Sequence, residues 1–131
     1  MAVEGSVEKW LVTRFGRQNV IVQKHGFPDF LVTELGIEIP CGFETLYSRD
    51  PRSIVMRLRD RIYRAAYEVT QGRVRDLTFV VVGNSLEDCV RMEEMIRSPR
   101  IDVPAGVKLT FCFLSEQVGS DEPPALEFIS E

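Results

Sequence analysis

The chain has 131 residues, 44% apolar and 27% charged, with nine Gly and seven Pro; this composition predicts one soluble globular domain and excludes collagen-like, low-complexity and wholly disordered chains. The longest apolar run, near Leu77 to Gly83, is too short to cross a bilayer, residues 1–12 lack the pattern of an export signal, and cysteines at 41, 89 and 112 have no CxxC spacing, so the expectation is a cytoplasmic protein, off the membrane, with neither a disulfide framework nor structural zinc. The formal charge of −4 is unevenly placed: residues 115–131 hold five acids and no Lys or Arg, which leaves the remainder at +1, while residues 49–76 hold eight arginines against four acids.

In chain order, the first helix is expected to open at Ser6 as its cap and run to Gly16, with Val7, Trp10, Leu11 and Phe15 at helical spacing. Short β-type runs follow at 20–23, 30–33 and 37–39, separated by turn-like breaks at His25-Gly26 and Glu34-Leu35-Gly36, and read as an antiparallel meander. The clearest helix runs from Asp50 as N-cap and Pro51 as first helical residue to Gly72 at its end, with Ile54, Leu58, Ile62, Ala66 and Val69 on one face. Residues 77–82 form a near-continuous β-branched and aromatic run, the pattern of a strand covered on both faces. Ser85 with Asp88 resembles a capping box that opens a helix to about Arg97, and 108–114 is the last expected strand.

This order predicts an α/β domain over residues 1–114, three-layered, with a mixed central sheet of about five strands flanked by helices. Residues 115–131 are expected as a flexible acidic tail that contacts a basic surface of this chain or another.

Three acids fall at places in this order where chemistry is built: Glu8 on the first helix, Asp29 in Pro28-Asp29 at the start of a strand, and Glu38 in Glu38-Ile39-Pro40 on the next strand. On these residues and on the α, β-meander, α, β order, residues 5–114 resemble the PD-(D/E)XK nuclease superfamily, which includes archaeal Holliday-junction resolvases and many restriction endonucleases. The resemblance implies a restriction-endonuclease-like core and metal-dependent hydrolysis of DNA phosphodiesters. It assigns Asp29 and Glu38 as ligands of Mg²⁺ or Mn²⁺ and Glu8 as an assisting acid. Oxygen donors of this kind suit these ions rather than zinc.

One position departs from the pattern: the family's lysine falls on Pro40, which has no side-chain donor. Lys24, just before the Pro-Asp turn, is the residue expected to orient the attacking water in its place, with an arginine of the long helix, Arg57 or Arg61, as the alternative. Arg57, Arg61 and Arg64 share a face of the long helix and are expected to neutralise phosphates; the alternative is a solvated face paired with Asp60 and Glu68. Likewise Asp29 reads also as a turn residue and Glu38 as an exposed strand position. Three functions therefore stay open: a metal-dependent nuclease, which the resemblance implies acts as a homodimer on DNA; a catalytically inactive relative that binds nucleic acid or protein with the same fold; and an unrelated small α/β interaction module whose acidic tail occupies a basic surface of itself or of another protein.

Overall fold

The computed structural model of the chain describes residues 2–23, 26–33, 40–47, 51–72, 74–97, 103, 105–115 and 124–130, with backbone alone at 2, 33, 40–47, 51, 97 and 130. The elements are α1 (Ala2–Phe15), β1 (Val20–Val22), β2 (Phe30–Thr33), β3 (Pro40–Tyr47), α2 (Pro51–Thr70), β4 (Asp76–Gly83), α3 (Leu86–Arg97), β5 (Val107–Leu114) and β6 (Leu126–Ser130), with one 3-10 turn at Arg17–Asn19. The result is a mixed α/β fold with three helices among the described residues.

The strands lie in one sheet in the order β1-β2-β3-β4-β5-β6. The first three are an antiparallel meander, with Val22 against Phe30 and Phe30 against Phe43. From β3 onward the pairing turns parallel, with Glu44 against Phe79 and Phe79 against Leu109. Two successive parallel crossovers that step in one direction carry their helices to the same face, so α2 and α3 share a face and α1 covers the other.

Strand β4 shows this division within single residues. Leu77, Phe79 and Val81 are buried with Ile54, Leu58 and Ile62 of α2 and Cys89, Met92 and Ile96 of α3. Val80 and Val82 instead join Val3, Val7 and Leu11 of α1, Phe30, Val32 and Cys112. A parallel strand buried on both sides has no polar face to show, which is why its sequence reads as a continuous apolar run. Each fully buried Val, Leu or Phe of these two clusters contributes about 1.5–3 kcal/mol by leaving water.

The described helix ends follow the expected chemistry with one correction, and the expected α2 cap Asp50 lies outside the described residues. Helix α2 begins at Pro51, and its last turn is closed by the Gln71 N–H donating to the Tyr67 carbonyl at 2.9 Å and the Gly72 N–H to that of Val69 at 3.0 Å. Gly72 has φ +73°, a conformation that a side chain would strain. Ser85 caps α3, its Oγ accepting from the Asp88 N–H at 3.2 Å. Helix α1, however, starts at Ala2, four residues before the expected cap. Ser6 is an interior helical residue, 2% exposed, and its hydroxyl has no hydrogen-bond partner among the described residues. The apolar stripe Val3, Val7 and Leu11 explains the extension, because burying Val3 requires the helix to begin before it.

The strands depart from expectation in two places. Residues 40–47 form β3, with Pro40 as its first residue, where a proline is tolerated because it interrupts no central ladder; the expected strand at 37–39 lies outside the described residues. The sheet has six strands rather than about five. The sixth comes from the stretch expected as a flexible tail: β6 pairs antiparallel with β5, with Cys112 against Phe128 and Leu114 against Leu126. Its Phe128 meets Trp10 of α1 with ring centroids 4.9 Å apart. Searched for membrane-spanning segments, the described residues contain no helix long and apolar enough to cross a membrane.

Candidate functional site

The turn that leads into β2 is fixed by one side chain. Gln23, directly after β1, donates its backbone N–H to the Asp29 carbonyl at 2.9 Å and its Nε2 to the Pro28 carbonyl at 2.7 Å. The Gly26 N–H returns to the Gln23 carbonyl at 3.4 Å. Pro28 is buried, Phe27 and Asp29 are half-buried, and the Phe27–Pro28 peptide is cis. Arg64 of α2 lies over the Phe27 ring, its guanidinium carbon 4.4 Å from the centroid. The turn is thus held by β1 on one side and the basic helix on the other.

Asp29 therefore stands at the head of β2, one residue before Phe30. Phe30 is flanked by Val22 of β1 and Phe43 of β3. The β2/β3 ladder ends at the Phe30–Phe43 pair, and Asp29 and Glu44 are the residues next beyond that last pair on the two segments. Strand β3 runs on past this point, paired with β4 as far as Tyr47. Glu44 carries no comparable signal in the sequence, because the stretch 41–47 holds Gly42 and Glu44 and lacks strict alternation. Its place is visible only once the register is known.

The other expected site residues are distributed differently. Glu8, on α1, accepts a hydrogen bond at Oε1 from Arg17 Nη1 at 2.8 Å, an ion pair between the first helix and the 3-10 turn that precedes β1. Its carboxylate is thus engaged within the α1 side of the sheet. Lys24 and Glu38 lie outside the described residues. Arg57 and Arg64 are on α2, and Arg61 is half-buried between them. Helix α2 carries five arginines against Asp60 and Glu68, so its surface is positive whichever pairs form.

No group of three or more His, Cys, Asp or Glu side chains that could hold a metal ion is found among the described residues. Of the expected ligand pair Asp29 and Glu38, only Asp29 lies among them. Two cysteine side chains are described, Cys89 and Cys112, and both are buried thiols. Burial, with the Glu93 carboxylate adding to it, pushes the Cys89 thiol up to about 11. Burial, with Cys89 adding to it, pushes Cys112 up to about 12. Neither is a nucleophile near neutral pH. Compared with family models, with curated proteins and with solved structures, the chain finds no match.

Proposed function

We propose that the domain is a nuclease-like fold of the PD-(D/E)XK kind that binds DNA and hydrolyses its phosphodiesters with Mg²⁺ or Mn²⁺. The observation that carries this reading is the position of Asp29. It is an acid at the head of the second strand of a β-meander, fixed by Gln23, at the end of a ladder beyond which the third strand also carries an acid, in a sheet whose third and fourth strands are joined in parallel by a basic helix. The α, β, β, β, α, β order and the two helical faces support a restriction-endonuclease-like core.

In this reading Asp29 holds the ion together with Glu38, or with Glu44 beyond the same end of the ladder. When bound, such an ion activates water and offsets charge developing on the phosphate. Lys24, which precedes the Asp29 turn, orients the water by donating to it. Arg57 and Arg64 neutralise backbone phosphates, and Arg64 also holds the turn through Phe27. A homodimer provides the second surface that two strands of a duplex require.

A second reading is favoured by two specific features: Pro40 stands where the family has its lysine, and Glu8 is engaged by Arg17. In that reading the same fold binds nucleic acid without cleaving it. Incubation of linear and branched DNA with the protein in Mg²⁺ or Mn²⁺, beside Asp29→Ala, Glu38→Ala and Glu44→Ala, separates the two. Hydrolysis that is lost in Asp29→Ala and in one of the glutamate variants supports the first. Hydrolysis that survives Asp29→Ala rejects the site, and DNA binding without hydrolysis in either metal selects the second reading.

A further inference from the structure

The outward face of α2 carries side chains that neither the core nor the Asp29 turn uses. Tyr63 is 72% exposed, Met56 70% and Tyr67 56%, the three largest exposures among the large apolar and aromatic side chains described. Their spacing of seven and four residues places them in one line along the helix, Tyr63 and Tyr67 roughly 6 Å apart along the axis. Exposing two tyrosines and a methionine in a row on a well-packed helix gives up burial that other faces of α2 achieve completely, at Ile54 and Leu58 for example.

The line is bordered by positive charge on both sides. On the helical wheel Arg57 and Arg64 fall on the flank toward the Phe27 turn, and Arg59 falls on the opposite flank. Asp60 is the one acid between them. Toward the helix start a shallow cavity of about 340 Å³ is lined by Ser53, Met56, Arg57, Arg59 and Asp60. An aromatic line flanked by guanidinium groups is complementary to a single nucleic-acid strand. The rings offer faces to unpaired bases, and the arginines follow the phosphates. A duplex keeps its base faces stacked inside and offers the tyrosines nothing of the kind, and a run of Asp and Glu alone has no aromatic face to stack.

We infer that the outer face of α2 is a docking track for single-stranded DNA, with Tyr63 and Tyr67 stacking on bases and Arg57, Arg59 and Arg64 on the backbone. This deepens the nuclease-like reading, on which it rests for the nature of the ligand: the substrate has an unpaired segment, as at a flap, a gap or a branch. The track lies on the face of α2 turned away from the sheet, so it anchors the strand and takes no part in the chemistry at Asp29.

The test is fluorescence anisotropy with labelled oligo(dT) and with a hairpin duplex of equal phosphate count, in EDTA so that no hydrolysis occurs. Expected is tighter binding of oligo(dT) than of duplex, a loss of about tenfold or more for oligo(dT) in the Tyr63→Ala/Tyr67→Ala variant, and recovery with Phe at both positions. Duplex affinity should change little in these variants. Arg57→Ala/Arg59→Ala should flatten the salt dependence, by about 0.7 in the log–log slope for each phosphate that is no longer neutralised. Equal affinity for both DNA forms, no effect of the tyrosine variant, or binding of polyglutamate in place of oligo(dT) would overturn the inference. Asp29→Ala is expected to bind oligo(dT) like the wild type, so loss of cleavage and loss of the track are read separately.

Discussion

The guanidinium of Arg64 lies 4.4 Å from the centre of the Phe27 ring, and this stacking couples the basic helix α2 to the turn that presents Asp29. The arginine therefore has two uses, as a positive charge on the helix surface and as a brace for the turn.

The brace is measurable. Arg64 lies at the protein surface, so its stacking on Phe27 is worth about 0.5–1 kcal/mol. Arg64→Ala should lower unfolding stability by that amount in urea, and a double-mutant cycle with Phe27→Leu should return a coupling of the same size. Additive effects of the two substitutions would deny the interaction.

The sixth strand is an integral part of the fold through Trp10. Phe128 of β6 meets Trp10 of α1 at 4.9 Å, and an aromatic pair of this kind adds about 0.5–1.5 kcal/mol beyond burial. Phe128→Ala should destabilise the domain by about 1–3 kcal/mol, less than a fully buried Phe would because Phe128 is only half-buried. Since Trp10 is the single tryptophan, its emission should shift to the red in this variant. An unchanged spectrum and unchanged stability would show that β6 does not dock.

The α3 cap offers a local test. Ser85→Ala removes the acceptor for the Asp88 N–H and should cost about 0.5–2 kcal/mol, whereas Ser85→Asp, which restores an acceptor, should cost little. Thermal denaturation of both variants reads the difference.

The buried thiols give a pH dependence with a definite sign. Both are pushed up from 9.0, Cys89 to about 11 and Cys112 to about 12, so the folded state holds their protons where the unfolded chain releases them. Their contribution is fully present below pH 9 and is lost as pH rises from there toward 11 and 12. Stability should fall through that window and fall less steeply in Cys89→Ala/Cys112→Ala. In a Cys41→Ser background, a thiol reagent at about pH 8, below the ordinary thiol range, should modify neither residue until the protein is unfolded.

How far the sequence discloses this protein depends on whether the signal is local. Helix α2 is legible to the residue because Pro51 and Gly72 mark its ends and Ile54, Leu58 and Ile62 its buried face. Helix α3 is legible from Ser85 and Asp88, and β4 from its unbroken apolar run. Strand β6 is not, because Leu126, Phe128 and Ile129 are set among acids and after two prolines. Only the edge of β5 and the Trp10 ring make a strand of them. The same division holds at the site. Pro28-Asp29 announces a strand head, and Asp29 is found at one. The place of Glu44 at the same ladder end is a consequence of strand register, which is a long-range property that no local spacing encodes. Glu8 lies on the first helix, where the sequence places it, yet its Arg17 partner comes from a turn nine residues away.

The central claim is that Asp29 is a ligand of a divalent-metal site. Titration of Mn²⁺ into the full chain, read as the free-ion electron paramagnetic resonance signal, tests it without requiring a DNA substrate. Saturable uptake by the wild type that is abolished in Asp29→Ala and competed by Mg²⁺ is the expected result; equal uptake by the two proteins, or none by the wild type, would contradict it.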